Sequence, residues 1–386
     1  MTRGADVVGV GEATHSSTEF MATKREIFEY LVEHRGFRTF AQEFSWSTGA
    51  RLNDYVLHGI GDLRTIMSRE LQNVYRFFNN HEMLELIEWM REYNRTHEEK
   101  VRFIGTDIGF AGASVFDRVT AYVDDVRPQL SERIRELYAN LRPADDAEAF
   151  DYMRSYQARP MDERAELAEQ ADTAHELLVE IAGDDERGAL ALHDAWTIAR
   201  TAQLYAYDMT DPEQAEQQYR LRDRTMADNV VWWREHTGDR LLLSAQNGHV
   251  GYVSHDSTFI PKPQGAFLRE ELGRDYVNVG LTFDHGTFYA FDPETFFGPE
   301  RPVPELHSVP AAEPGSSEHV LNQVRFDDYV VDLRRVPGHA RRWLDEQHPT
   351  RNVGLFWPEP DVDVSLRETY DVLIHLDDVE ASTLLP

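Results

Sequence analysis

The sequence predicts an α/β fold with a mixed, mainly parallel central sheet flanked by helices. Short apolar runs typical of buried strands alternate with helical segments over the first 107 residues. Between about residues 111 and 238, helical segments follow one another with no strand between them. Strands return from residue 240, so we interpret residues 1–386 as a single α/β domain with a large helical insertion at about 111–238.

The elements of the first half are bounded by their apolar periodicity. A strand is predicted at 5–10 (ADVVGV), and a helix at about 19–34 has apolar residues at helical spacing. Ser16 and Glu19 fit a capping box at the start of that helix. Next come a strand at 37–44, a short helix carrying GARLNDYV, a helix at 81–95 and a strand at 101–107.

The second half predicts further strands and an irregular tail. Residues 240–249 (RLLLSAQNGH) are predicted as a strand, with a turn at the Asn-Gly pair marking its end. Residues 275–291 predict two strands about a turn at His285–Gly286. From residue 293 the chain is rich in proline and glycine until about 317, and it ends in mixed elements.

Composition limits the functional classes. The 386 residues include no cysteine, which excludes disulfides, a thiolate nucleophile and cysteine-based metal sites. The N-terminus lacks a signal-peptide pattern and no run of ~18 apolar residues occurs, so we expect a cytoplasmic protein with no membrane partner. The formal charge of −30 repels nucleic acid, which we do not expect as a partner. The oligomeric state is not indicated.

Polar side chains follow the predicted strands at the points where the strands end. Ligands of open α/β sheets bind beyond the carboxyl ends of parallel strands, so these groups are expected to meet in one cleft. Asp, Asn and Ser at such positions often serve only as caps or turns, but glutamate and histidine are unusual caps. The strand-end residues are Glu12, His15, Glu43, Asp107, Gln246, Asn247, His249, Asp284 and His285.

Several familiar motifs do not fit the opening stretch VVGVGEATHSSTEF. Gly9-x-Gly11 lacks the third glycine of a dinucleotide loop, and Glu12 would place a carboxylate against the pyrophosphate. No GxSxG or Ser-x-x-Lys motif is present, which argues against a serine nucleophile. We therefore expect no cofactor.

Metal chemistry is a weaker alternative to acid–base chemistry. Glu12-x-x-His15 resembles half of a metal site, but HExxH is absent. A centre built from His15, Glu43 and His249 is geometrically conceivable, although we expect no metal. A histidine polarised by carboxylates, taking a proton from water or from a substrate hydroxyl, accounts for the same residues.

The residues of the opening block resemble those of the erythromycin esterase family. The segment GEATHSSTEFMATKREIFEYLVEHRGFRTFAQE is similar to that family's GExxH region, and RLNDYV, KVRFIGTD, YRLRDRTMADNV, NGHVGY and DYVNVGLTFDHGTF continue the resemblance in order. It covers most of residues 6–290. It implies an α/β fold with a mixed sheet and a large helical portion. It also implies hydrolysis of a macrolide-like ester or lactone.

The resemblance also implies roles for individual residues. His15 would be the general base acting on water, with Glu12 beside it. Glu43, on the second strand, would orient His15 or the water, and Lys24 would hold a substrate carbonyl oxygen or carboxylate. His249, the second histidine of the family's HNxH motif, is a further catalytic candidate. Separately from the resemblance, Arg51, Arg222 and Arg224 are candidate substrate-binding residues.

One position departs from the family pattern. Gln246 replaces the first histidine of HNxH, and a glutamine can donate a hydrogen bond to an oxyanion but cannot carry a proton at neutral pH. Three functions therefore remain open. The first is hydrolysis of a hydrophobic natural product, with which a cationic amino sugar is compatible, in antibiotic resistance or biosynthesis. The second is elimination, cyclisation or group transfer in natural-product biosynthesis, and the third is ligand sequestration on a degenerate esterase scaffold.

Overall fold

The computed structural model describes residues 4–254, 256–296 and 302–386 and confirms the predicted mixed α/β class. The strands are β1 Val7–Val10, β2 Phe37–Ser45, β3 Arg102–Asp107, β4 Arg240–Ser244, β5 Tyr276–Ala290, β6 Glu305–Val309, β7 Tyr329–Asp332, β8 His348–Thr350, β9 Val362–Val364 and β10 Val372–Val379. An eight-stranded sheet has the order β3-β2-β4-β1-β5-β10-β7, with β6 paired to β5, and β8 and β9 form a separate antiparallel pair.

The helices cover the sheet, and those between β3 and β4 follow one another with no strand among the described residues. Within the described ranges, no helix is long and apolar enough to cross a membrane. Four 3-10 turns lie at Asn73–Phe78, Pro128–Leu130, Gly273–Asp275 and Leu333–Arg335. The α-helices are α1 Thr18–Arg35, α2 Trp46–His58, α3 Leu63–Glu70, α4 His81–Thr96, α5 Ala113–Val126, α6 Ser131–Tyr138, α7 Ala149–Gln157, α8 Met161–Ile181, α9 Glu186–Tyr205, α10 Pro212–Thr237, α11 Asn247–Val250, α12 Gln264–Leu272, α13 Pro293–Phe296, α14 Ser317–Leu321, α15 Gly338–Asp345 and α16 Leu366–Thr369.

The parallel register of the central strands places four strand ends side by side. β1 lies between β4 and β5, and β2 lies between β3 and β4, all in parallel. The apolar runs are continuous because both faces of these strands are covered, and Val7, Val8 and Val10 have no exposed surface. The polar residues at or just beyond the carboxyl ends of β1, β2, β3 and β4 therefore meet at one edge of the sheet.

Two predicted strand boundaries were wrong. β4 ends at Ser244, and Asn247 already belongs to α11, because its side chain donates to the carbonyl of Leu281 on β5 and accepts from the same residue's amide. β5 is one continuous strand through His285–Gly286. Its partner changes there from parallel β10 to antiparallel β6, and Gly286 has a φ of 143°. The glycine thus marks a change of partner instead of a turn.

The predicted capping box was also wrong. Helix α1 begins at Thr18, and its N-cap is Ser17, whose side chain makes no capping hydrogen bond. The Ser16 hydroxyl instead exchanges two hydrogen bonds with the backbone of Tyr289, and the Glu19 carboxylate accepts from the amide of Glu380. Long-range backbone contacts therefore satisfy the groups that the local pattern assigned to the helix start.

Gly49 allows α2 to lie directly against β3, and its replacement by alanine is expected to destabilise the fold. A Cβ atom at residue 49 would lie 1.8 Å from the backbone nitrogen of Gly105, so the helix or strand would have to shift. We expect Gly49→Ala to lower the free energy of unfolding by about 1 to 3 kcal/mol or more in denaturant titrations. Gly338→Ala is the matched control, because a Cβ at residue 338 meets no atom within 4 Å.

Candidate active site

The GEATH segment turns sharply at the end of β1 and is clamped from two sides. A Cβ at Gly11 would lie 2.0 Å from Asn247 Oδ1, so only glycine lets the chain pass this side chain. The amide of Asn247 donates to the carbonyl of Glu12 over 2.9 Å. On the other side, the amide of Val353 donates to the carbonyl of Ala13. The turn is therefore held by residues that lie more than two hundred positions away in sequence.

Glu12 joins the predicted base His15 to a buried lysine. Its Oε1 lies 2.6 Å from His15 Nδ1, and its Oε2 accepts from Lys24 Nζ over 2.5 Å. Lys24 also donates to Ser244 Oγ at 2.9 Å. Burial opposes the charge on Glu12, but Lys24 and His15 outweigh it and hold the pKa of Glu12 below its usual range. The ionised Glu12 accepts the Nδ1 proton of His15, which leaves Nε2 as the ring nitrogen that can accept a proton.

Two phenylalanines of the Asn73–Phe78 turn surround His15. Phe77 stacks on the imidazole at a centroid distance of 6.1 Å, and Phe78 meets it edge-on at 5.6 Å. Nε2 has no hydrogen-bond partner among the residues that the structure describes, and His15 is 7% exposed. The imidazole is thus fixed in orientation while its basic nitrogen stays available.

Glu43, at the end of β2, faces a second histidine that is held as a cation. Its Oε1 lies 3.1 Å from His249 Nε2, and His249 Nδ1 lies 2.7 Å from Asp223 Oδ1. Burial disfavours charge on His249, but Asp223 and Glu43 outweigh it and raise the pKa of His249 to about 10. Burial likewise disfavours charge on Glu43, whose pKa is nevertheless held well below its usual range by His249, His15 and Arg222. His249 is therefore an imidazolium between two carboxylates.

Arg222 carries a second positive charge to the same place. Its Nε and Nη2 donate to the two carboxylate oxygens of Asp107 over 3.1 and 2.8 Å, and Nη2 also reaches Glu43 Oε1 at 3.3 Å. Nη1 lies 3.4 Å from His249 Nε2, but both nitrogens carry protons, so this is a contact between donors. Nη1 remains able to donate to a bound molecule.

Gln246 is placed at the edge of this cluster by its backbone. Its amide donates to Glu43 Oε2 over 2.8 Å, while its side-chain nitrogen lies 3.4 Å from Asn352 Oδ1. A Cβ at Gly354 would lie 2.4 Å from the same side-chain nitrogen, so the segment carrying Asn352 and Gly354 packs closely on the glutamine. The glutamine side chain is thus directed to the C-terminal part of the chain.

The structure brings most of the predicted residues together but not all of them. Direct contacts join Glu43 to Arg222, Gln246 and His249, and the Glu12–His15 pair lies close enough for His15 to lower the pKa of Glu43. Lys24 has no exposed surface and supports Glu12 from beneath, so a direct contact with substrate would require this ion pair to open. Arg51 pairs with Glu70, and Arg224 pairs with Asp228 and Glu271. Substrate binding by Arg51 and Arg224 stays a prediction.

The sequence did not predict Asp223, Ser244 and Asn352, which contact and position other residues of the site. Asp223 directly follows Arg222 in the RDR segment, and this adjacency of opposite charges was the available signal. Ser244 and Asn352 had no comparable signal, because a single hydroxyl or amide outside a motif carries no chemical indication. Their roles come from the side chains that the fold places beside them.

A possible metal-binding group lies outside this cluster. Within the described ranges, the group of three donors close enough to share an ion is Asp284, His285 and Asp377. Two of these are the predicted strand-end residues of β5, which lies on the other side of β1 from β4. Within the described chain, the donor atoms of His15, Glu43 and His249 do not lie as close to one another as those of Asp284, His285 and Asp377.

The charge on His249 makes stability depend on pH in a defined direction. Because its pKa rises from 6.5 to about 10 on folding, the stabilisation is complete below pH 6.5 and is lost as the pH rises toward 10. We expect His249→Gln to cost about 3 to 5 kcal/mol at pH 6, since it leaves two buried carboxylates without their cation. In denaturant titrations this cost should shrink between pH 6.5 and 10. For the exposed His34, the change to Gln should alter stability by less than about 0.5 kcal/mol; a pH-independent cost at residue 249 would contradict the assignment.

Comparisons with known proteins agree with the fold. Residues 32–379 match the family model described as erythromycin esterase, a range that begins after Glu12, His15 and Lys24. Erythromycin esterase type II of Escherichia coli is 25% identical over 310 residues, covering 75% of this chain and 71% of that protein. The putative hydrolase YbfO of Bacillus subtilis (strain 168) is 21% identical over 403 residues, covering 99% of this chain and 86% of that protein.

Solved structures show the same architecture over the whole chain. A Bacillus cereus protein has a TM-score of 0.88 at 27% identity and covers 100% of this chain and 91% of its own. A succinoglycan biosynthesis protein has a TM-score of 0.85 at 25% identity, with coverages of 100% and 90%. A mutant of the erythromycin esterase EreC in its open conformation has a TM-score of 0.75 at 16% identity, with coverages of 100% and 93%, which shows the fold alone. The family model spans most of the chain, and the protein therefore belongs to the erythromycin esterase family, which supports a hydrolase-type activity.

Proposed function

We propose that the protein hydrolyses an ester or lactone of a macrolide-like natural product, with His15 as the general base that activates water. The observation that carries the proposal is the Glu12–His15 pair. Its hydrogen bond directs Nε2 outward as a base with no partner among the described side chains. An imidazole that a carboxylate orients, with its other nitrogen open to water or substrate, is the usual arrangement for general-base catalysis.

In the proposed reaction, the proton that His15 takes from water is later given to the leaving group. His15 Nε2 takes a proton from water, and the resulting hydroxide attacks the ester carbonyl carbon. The carbonyl oxygen becomes an oxyanion, which Arg222 Nη1 would stabilise as a hydrogen-bond donor in a partly desolvated site. When the carbon–oxygen bond breaks, the alkoxide leaving group takes the proton back from His15. The products are a carboxylic acid and an alcohol.

Glu12 and Glu43 play different parts in this scheme. Glu12 sets the tautomer of His15 and stabilises the imidazolium that forms when the ring accepts a proton. Both carboxylate oxygens of Glu43 are occupied by contacts with His249, Arg222 and the backbone amide of Gln246. Glu43 therefore fixes the positions of the two cations. We propose that Glu43 is a positioning residue, and that His249 contributes positive charge to the site without accepting a proton.

The surroundings support an apolar substrate that carries a positive charge. Phe77 and Phe78 place an apolar surface directly beside His15. A chain with a formal charge of −30 attracts cations, which suits an ester that carries an amino sugar. The Escherichia coli relative is named for its action on erythromycin, a macrolide.

A second candidate function rests on Gln246. Gln246 has an amide side chain at a position where the HNxH motif of the erythromycin esterase family has a histidine. An amide cannot relay a proton to a leaving group. A base at His15 without this relay is suited to elimination, cyclisation or group transfer, in which no water is added. Sequestration of a ligand without turnover is the third possibility.

Oxygen-18 water distinguishes these functions. With a panel of macrolides and simple esters, we expect one oxygen-18 atom in the carboxylic acid product by mass spectrometry. His15→Ala should lower kcat by about 100- to 10,000-fold, because the general base is removed. The exposed His34→Ala is the matched control and should keep the rate of the unaltered protein.

Each other outcome selects a rival function. An unlabelled product that still depends on His15 means elimination, cyclisation or transfer, and tight binding without any product means sequestration. If Gln246→His creates lactone hydrolysis that the natural sequence lacks, then the natural protein is not a lactone hydrolase.

A further inference from the structure

The 3-10 turn at Asn73–Phe78 covers more than His15. Phe77 and Phe78 contact the imidazole, and Tyr75, two residues earlier, reaches the other half of the site. The Tyr75 ring packs edge-on against Phe44 at a centroid distance of 6.3 Å and is nearly buried. One short turn therefore supplies side chains to both His15 and the cluster of charges beyond it.

The Tyr75 hydroxyl lies over the turn that follows β3. A Cβ built at Gly109 would lie 3.3 Å from this hydroxyl and 3.8 Å from each carboxylate oxygen of Asp107. Asp107 is the residue that holds Arg222 through two hydrogen bonds. The phenol oxygen is thus near the guanidinium whose Nη1 is proposed to meet the substrate.

No hydrogen bond within the described part of the chain explains the presence of the Tyr75 hydroxyl. It makes no hydrogen bond to any residue in the described part of the chain, and it is not among the polar atoms sealed from solvent. The nearby Tyr205 differs, because its hydroxyl donates to the carbonyl of Gly109. A phenylalanine, the residue present at 77 and 78, could make the same packing contact with Phe44, so packing alone does not explain the hydroxyl.

We propose that the Tyr75 hydroxyl is a second donor for the substrate oxyanion and acts beside Arg222 Nη1. The inference rests on the proposed hydrolysis and assigns a further substrate-contacting group to it. Burial and the charges of Asp107 and Glu43 raise the pKa of Tyr75 well above its usual value, so the phenol keeps its proton and can donate throughout the neutral range. Two donors from separate elements would hold the carbonyl oxygen in a defined direction relative to His15.

The test compares catalysis with binding of a transition-state analogue. The substrate is the most active ester of the oxygen-18 panel, and the analogue is the matching phosphonate, whose tetrahedral phosphorus replaces the carbonyl carbon. We expect Tyr75→Phe to lower kcat about 100-fold and to weaken phosphonate binding by a similar factor, with KM nearly unchanged. Tyr75→His, which keeps a ring donor, should recover part of both losses. Tyr152→Phe is the control, because it removes a buried phenol hydroxyl that donates to Leu141 and should leave both quantities unchanged.

The contrary results are equally clear. Phosphonate affinity within threefold of the unaltered protein in Tyr75→Phe, with a native circular dichroism spectrum, would overturn the inference. If Tyr75→Phe does not fold, Tyr75→His provides the test. The inference then requires kcat and phosphonate affinity to fall together in Tyr75→His, and it is wrong if they do not. If the unaltered protein releases no labelled acid, the hydrolytic function has failed, and that result is visible before any Tyr75 variant is made.

Discussion

Glu43 is the group through which the charges of this site are tied together. Its two oxygens contact His249, Arg222 and the backbone amide of Gln246. Arg222 lies on α10, whereas Gln246 and His249 lie at α11. A buried carboxylate is unfavourable unless it is paired, so the negative charge of Glu43 requires the nearby cations to be present. Those cations in turn are held by Asp223 and Asp107. The cluster is therefore stable only as a whole.

This mutual dependence separates two kinds of histidine. His249 contacts a carboxylate at each ring nitrogen and keeps its proton, so it serves as a fixed positive charge. His15 contacts a carboxylate at Nδ1 alone, and its other nitrogen is left for chemistry. The difference follows from the number of carboxylates in contact, which neither local sequence pattern reveals.

Much of the fold was accessible from local sequence because its strands are short, apolar and separated by amphipathic helices. β1, β2, β3 and α4 lie close to their predicted positions. The errors fall where a long-range contact outweighs local preference. Asn247 bonds to β5 and begins a helix, Gly286 marks a change of strand partner, and Ser16 bonds to Tyr289.

The sequence by itself determined which strand ends carry carboxylates and histidines, and its ordered motifs indicated the erythromycin esterase family. It could do so because residue type and spacing are local properties. Only the tertiary structure decided which of those groups meet, that Lys24 lies buried beneath Glu12, and that Arg51 and Arg224 pair elsewhere. The charge state of His249 was decided in the same way, because a pKa depends on burial and on neighbours brought close by folding.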